Sequence, residues 1–251
     1  MLTKEITSLQ HPIVKHLVKL RKDRAYRKIK NTALIVGRKL VQEVGAHAQL
    51  LTLLVDKQDP ILSSISASTT YFVPSAIFKK ITGLENPECV AAEISIPPQG
   101  DLNNRKFILA LDGVSDPGNL GTLLRTALAL GWDGVFIISS STDPFNDKAL
   151  RSAKGATFRL PIASGNWEEL EQLVSRNNMQ IFIADTQGQS IAHSNVKAPL
   201  VLVLGNESHG TSDVQKNRHS LISIPISKKM ESLNVSIAGG ILMHALKERK
   251  P

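Results

Sequence analysis

Four continuous apolar runs, with helical stretches between and after them, leave few folds open to the second half of this 251-residue chain. The runs are KFILALD (Lys106–Asp112), GVFIISS (Gly134–Ser140), MQIFIAD (Met179–Asp185) and PLVLVLG (Pro199–Gly205). A strand with one wet face alternates apolar and polar residues, and these do not, so each should be buried on both faces. Helical periodicity falls at about Asn119–Leu130, Trp167–Arg176 and Leu233–Lys247. Buried strands alternating with helices predict an α/β domain: a parallel sheet covered on both sides. Aromatic residues make up only 4% of the chain, so Leu, Ile, Val and Ala must build that core.

The first hundred residues read as a smaller α/β unit. HPIVKHLVKLRKDRAYRK, from His11, puts Ile13, Leu17 and Leu20 on one helical stripe with Pro12 at an early helical position. ALIV (Ala33–Val36), LLTLLV (Leu50–Val55), TYFV (Thr70–Val73) and CVAAEISI (Cys89–Ile96) predict strands. Helices are expected from about Arg38 to Ala46 and over Ser75–Ile81. IPPQGDLNNR (Ile96–Arg105) has no hydrophobic period and is rich in Pro, Gly and Asn. The expected organisation is a first domain over residues 1–98, a linker over 99–105 and a second domain over 106–251.

Charge is concentrated at one end. The chain carries +8 overall, yet residues 1–40 hold eleven Lys and Arg against Glu5 and Asp23 and so carry +9. A basic face confined to one end is the footprint of a phosphate-binding surface. The residues expected to contact RNA are Lys15, Lys19, Arg21, Lys22, Arg24, Arg27 and Lys28. Cys89 is the only cysteine, which excludes an intramolecular disulfide and a multi-cysteine zinc site. No metal is expected. No apolar run approaches the roughly 18 residues of a membrane span, and MLTKEITSLQHP lacks a signal-peptide core, so the expected compartment is the cytoplasm.

In parallel sheets, ligands bind where strands end and loops begin. Three segments begin there. LDGVSDPGNLGTLLRTALALGW (Leu111–Trp132) is a glycine-containing loop opening a helix, where backbone N–H groups can face an anion. Arg125 lies among Leu123, Leu124, Ala127 and Leu128, a setting in which a guanidinium needs a carboxylate or phosphate partner. VLVLGNESHG (Val201–Gly210) sets Asn206 and Glu207 after a strand-end glycine. ISIPISKKMESLNVSIAGGILMHAL (Ile222–Leu246) leads through a proline turn to Ser232, Leu233 and Asn234 before a helix. Read singly, each segment also fits a plain structural role: a glycine turn, a Gly-Asn turn whose Glu caps a helix, a Ser or Asn helix cap.

Read together and in order, LDGVSDPGNLGTLLRTA, VLGNES and IPISKKMESLNVSIA resemble the three signature motifs of the SpoU (TrmH-type) RNA 2′-O-ribose methyltransferases of the SPOUT superfamily. The resemblance covers roughly residues 106–247. Residues 8–45 also resemble the L30e-like substrate-binding domain that precedes the catalytic domain in many members. The resemblance implies a knotted parallel-sheet catalytic domain, a homodimer whose interface completes the site, and S-adenosylmethionine as cofactor. It implies a ribose 2′-hydroxyl as methyl acceptor, with ribosomal RNA ahead of transfer RNA. The implied site residues are Asn119, Arg125, Glu207, Ser232 and Asn234. The implied cofactor loops are those of Leu204, Gly205, Asn206, Ile224 and Leu233. Two positions depart from the pattern: Val36 stands where the first domain usually has Glu, and Lys228 and Lys229 replace small residues before the third motif. A non-catalytic RNA-binding protein of the same fold would share the basic arm but would have no use for the five polar positions. A nicotinamide-dependent oxidoreductase, with Asp143 as ribose acid about 20 residues past the glycine loop, leaves the second and third motifs unexplained.

Overall fold

The computed structural model describes residues 2–57, 59–194 and 196–248. The chain begins β1 (Leu2–Glu5), α1 (Pro12–Lys22), α2 (Arg24–Lys30), β2 (Thr32–Val36), α3 (Arg38–Gly45), β3 (Leu50–Val55), β4 (Ala67–Phe72), α4 (Ser75–Thr82) and β5 (Val90–Ser95). It continues with β6 (Phe107–Leu111), α5 (Pro117–Ala129), β7 (Gly134–Ile138), α6 (Asp147–Ala153), β8 (Ile162–Gly165) and α7 (Trp167–Arg176). The last elements are β9 (Gln180–Ser190), β10 (Leu200–Leu204), α8 (Asp213–Lys216), β11 (Ser220–Ser223) and α9 (Val235–Lys247).

Two compact units result. The first comprises residues 1–97 with 145–155, and the second 98–144 with 156–251. Residues 99–105, expected as a linker, thus belong to the second unit: Gly100 N–H donates to Ile162 O at 2.8 Å and Leu102 is buried. Residues 145–155, which sequence had placed in the second domain, belong to the first, where α6 packs on β2.

In the first unit a five-stranded sheet runs β1-β4-β3-β5-β2, with β5 antiparallel to both its neighbours. The basic segment is two helices rather than one. Asp23 ends α1 in an extended conformation and caps α2, its carboxylate accepting from Tyr26 N–H at 3.0 Å. One of the expected RNA contacts, Arg27, is corrected here, and another, Arg21, has a structural partner. Arg27 is 3% exposed and donates to the carbonyls of Leu20 and Arg21, closing the last turn of α1. Arg21 donates to Thr82 O at 3.0 Å, at the C-terminal end of α4. Lys15, Lys19, Lys22, Arg24 and Lys28 are exposed, as expected of phosphate contacts.

In the second unit six strands, all parallel, run β11-β9-β10-β6-β7-β8. The four apolar runs lie in it as β6, β7, β9 and β10, and β6, β7 and β10 are buried along almost their whole length. Parallel strands put all their C-terminal ends on one edge. The loops after β6, β9, β10 and β11 therefore share that edge although 79 to 112 residues separate the end of β6 from the ends of the others in the chain. α9 closes onto this frame at Gly239, where an added Cβ would stand 2.5 Å from Leu123 Cδ2 and 2.6 Å from Leu204 Cδ1. Among the described residues, no helix is long and apolar enough to cross a membrane and no cluster of acidic, His or Cys side chains could hold a metal.

Candidate active site

The loop after β6 is tied down from two directions. The buried Ser141 hydroxyl accepts from the Gly113 and Val114 N–H groups at 2.9 and 3.2 Å and donates to Leu111 O. From the other side comes Glu207, in the loop after β10. Its Oε2 accepts from Ser115 N–H at 3.0 Å and from the Ser115 hydroxyl at 2.9 Å, while Oε1 accepts from Asp116 N–H at 3.2 Å. Asp116 in turn caps α5 through Asn119 N–H. Glu207 thus braces the entry to α5 rather than capping the helix that follows it in sequence.

The same carboxylate starts a chain of amides. Asn119 Nδ2 donates to Glu207 Oε1 at 3.1 Å, and Asn119 Oδ1 accepts from Asn234 Nδ2 at 3.1 Å. Asn234 Oδ1 caps α9, accepting from Ser236 N–H and Oγ–H at 2.9 and 2.6 Å. Capping and the link to Asn119 are therefore two jobs of one side chain. One polar line joins three segments whose members lie 88 and 115 residues apart. Burial alone would raise the Glu207 pKa, but the hydrogen bonds from Ser115 and Asn119 overcome it and lower the pKa to about 2. Asp112, at the end of β6, goes the other way: burial pushes its carboxyl up against hydrogen bonds from Trp167, Thr211 and Ser140.

Beside this line is a cavity of about 540 Å³. Leu204, Gly205, Asn206, Ile224 and Leu233, the five expected cofactor-loop residues, all line it, and so do Glu207, Ser232 and Asn234. The Asn206 side chain holds the cavity wall to the β6 loop, donating to Gly113 O at 2.8 Å, while its Oδ1 accepts from Ser208 and His209 N–H. Gly205 is required by close backbone approach: a Cβ there would be 2.5 Å from Gly210 C and Thr211 N. Sequence reading missed one wall, Ala184–Asp185–Thr186 in β9, and the Lys216 ammonium that pairs with Asp185 at 2.7 Å. The strand-end rule that picked out the other loops applied equally to MQIFIAD; no motif drew attention to it.

Arg125 stands apart. Its side chain is exposed on α5, it does not line the cavity, and among the described residues no hydrogen bond or ion pair holds it. The partner its apolar neighbours seemed to demand is unnecessary, because Leu123, Leu124 and Ala127 turn inward and Arg125 turns to solvent. Ser232 is likewise exposed at the cavity edge.

Three strand-end loops converging in this way on an α5 entry match a known family. Residues 106–244 match the SpoU rRNA Methylase family. The chain belongs to that family. This SpoU protein is 32% identical over 251 residues to the 23S rRNA (guanosine(2553)-2'-O)-methyltransferase RlmP of Bacillus subtilis (strain 168), covering 97% of this chain and 99% of that protein. It is 34% identical over 150 residues to the 23S rRNA (adenosine(1067)-2'-O)-methyltransferase of Streptomyces azureus, covering 58% of this chain and 56% of that one. Its structure is similar to the AdoMet-bound rRNA methyltransferase from Sinorhizobium meliloti, with a TM-score of 0.86, 29% identity and 97% of each chain covered.

Proposed function

We propose that this SpoU protein is an S-adenosylmethionine-dependent methyltransferase acting on a ribose 2′-hydroxyl of ribosomal RNA. The observation that carries the proposal is the Glu207–Asn119–Asn234 line beside a cavity lined by all five expected cofactor-loop residues. The cavity fits the cofactor in size and in donors. About 540 Å³ lies within the range of small-molecule sites, Leu204, Ile222, Ile224 and Leu242 offer an apolar slot, and Asp185, Lys216 and Glu231 offer polar ends. S-adenosylmethionine, when bound, supplies an electrophilic methyl group on a sulfonium.

The protein's part is placement and charge. Leu204–Asn206, Ile224 and Leu233 would hold the cofactor, and Asn119 and Ser232 would position the acceptor ribose. Glu207 stays ionised at neutral pH and fixes Asn119, which fixes Asn234 and the start of α9. An acceptor 2′-hydroxyl that takes a methyl group would have to lose its proton. Arg125 would grip the nucleotide's phosphate and stabilise the negative charge that develops on the 2′-oxygen as its proton leaves. A guanidinium with a pKa above about 12 is a poor base alone, so the proton passes through a phosphate-bound or shared arrangement. Orienting the two reactants can itself supply roughly 7–11 kcal/mol of the barrier.

Among the described residues Arg125 reaches neither the cavity nor a partner, which supports a homodimer in which a second copy completes the site. Ile237 and Ile241 on α9, with Leu233 just before the helix, form an exposed apolar stripe that such a partner would cover. The C-terminal segment leaves edge strand β11 and returns to pack α9 on α5 and β10, the path that a trefoil knot would take. The mixed sheet with its exposed basic helices supports an L30e-like RNA-binding first domain. A ribosomal RNA substrate supports a cytoplasmic location. Labelled S-adenosylmethionine and total RNA from a host lacking the gene test the proposal: one 2′-O-methylated nucleotide in ribosomal RNA is expected. Label in transfer RNA alone would replace the substrate, and none at all would reject the activity.

A further inference from the structure

Tyr26 is held more firmly than a residue on an exposed helix needs to be. Its hydroxyl is 2.9 Å from His16 Nδ1, and His16 Nε2 is 2.9 Å from Glu93 Oε1. Glu93 is a buried carboxylate on β5 that also accepts from the Thr32 and Thr52 hydroxyls at 2.8 and 3.2 Å. Burial would raise the Glu93 pKa, but the bonds from His16 and the threonines reverse that and keep it below its ordinary value. The relay therefore runs from the middle of the sheet to a phenol on α2. Part of the half-buried ring packs against the core cluster around Leu17 and Leu20. Over the ring stand two ammonium groups, Lys19 at 4.5 Å and Lys30 at 5.8 Å. Lys15, Lys19 and Lys22 form one stripe of α1, and Arg24, Lys28 and Lys30 extend the exposed basic face along α2.

We infer that Tyr26 is a stacking platform for one unpaired RNA base, with Lys19 and Lys30 moving from its ring to the flanking phosphates. The inference rests on the proposed RNA-binding role of the basic face. The occupant follows from charge and shape together. A run of cations whose one acid, Asp23, is half-buried and occupied in capping α2 calls for a polyanion, and a flat ring among those cations calls for one with flat groups along it. The exchange is favourable. Two exposed cation–π contacts together strengthen an equilibrium by about four- to 25-fold, whereas a base stacked on an aromatic side chain contributes about five- to 150-fold. The released ammonium groups meanwhile gain phosphate partners. A duplex offers no free base face, so the platform selects single-stranded or looped RNA.

The test uses the full-length protein, fluorescein-labelled oligoadenylate, a fully paired RNA duplex, and an abasic chain of the same length as the oligoadenylate. Wild-type protein is expected to bind oligoadenylate at least tenfold more tightly than the abasic chain. Tyr26→Leu should lose roughly tenfold on oligoadenylate and less than twofold on duplex. Tyr26→Phe and Tyr26→Trp, which keep a ring, should stay within about threefold of wild type on both. Lys19→Gln with Lys30→Gln should weaken both ligands. If Tyr26→Leu binds oligoadenylate like wild type, or loses equally on both ligands, the platform is wrong. If Tyr26→Leu does not fold, equal wild-type affinity for abasic and base-bearing chains overturns it instead. If the lysine changes also leave binding untouched, the RNA-binding reading of the whole face fails with it; if they weaken binding while Tyr26→Leu does not, that reading survives and the platform alone is lost.

Discussion

The two units of this protein use polar residues in opposite ways. In the first, charge is abundant and much of what it does is structural: Arg27 and Arg21 look like phosphate ligands in sequence but finish the ends of α1 and α4. In the second, polar residues are sparse along the strand ends, and those that occur converge: Glu207, Asn119 and Asn234 join three loops in one line. A cation's role depends on which way its side chain turns, and composition cannot report that. A polar residue at the C-terminal end of a buried parallel strand has its position set by the sheet, so its neighbourhood follows from the strand pattern.

The sharpest way to break this contrast lies in the second unit. Arg125→Ala should reduce single-turnover methylation by about 10²–10⁴-fold, the range for a group that handles a proton in the transition state. Cofactor affinity by calorimetry should stay within about twofold, because Arg125 is outside the cavity. Near wild-type turnover with intact RNA binding would remove Arg125 from the chemistry. Glu207→Gln should come next, with kcat/KM lowered by on the order of 10-fold to 100-fold, since bonds to a charged acceptor are worth about 1.5–3 kcal/mol. Unlike Arg125→Ala, it should also weaken cofactor binding, because it loosens a cavity wall. The pH dependence has a definite sign. A carboxyl that titrates near 4.5 when unfolded and about 2 when folded stabilises the loop fully above pH 4.5. That contribution fades as pH falls from 4.5 toward 2. Urea melts of wild type and Glu207→Gln should therefore converge over that interval, and a gap unchanged at pH 2.5 would contradict the bracing role.

How much could be read in advance follows the same division. β6, β7, β9 and β10 were legible because strands buried on both faces have no polar positions to obscure them. The loops that line the cavity stood out because they follow strand ends and carry three motifs that, in order, resemble the SpoU signatures. β8 (Ile162–Gly165) and β1 (Leu2–Glu5) were not legible, being four-residue edge strands with too few residues to show a period. The excursion of residues 145–155 to the first unit was hidden because nothing in DKALRSA says which sheet its apolar face, Ala149, Leu150 and Ala153, will meet. Asp185 was missed although its strand was recognised, since a single acid after an apolar run is indistinguishable from a turn residue until Lys216 is seen beside it.

The first unit offers two smaller tests that separate its structural cations from its exposed ones. Arg27→Met should cost about 1–3 kcal/mol of stability, the penalty for leaving buried carbonyls unpaired, and thermal melts would show it. It should leave the salt dependence of RNA binding unchanged. Lys22→Gln or Arg24→Gln should do the reverse. Both side chains are exposed, so stability should scarcely move. Each lost phosphate contact to single-stranded RNA should reduce the slope of log K against log salt by about 0.7. The slope is the better measure here than affinity at one salt concentration, because a modest loss of affinity could come from altered packing, whereas a changed slope counts ions released. If Arg27→Met lowers the slope as Lys22→Gln does, the guanidinium reaches RNA after all, and the burial that sets the two groups of cations apart does not hold when RNA is bound.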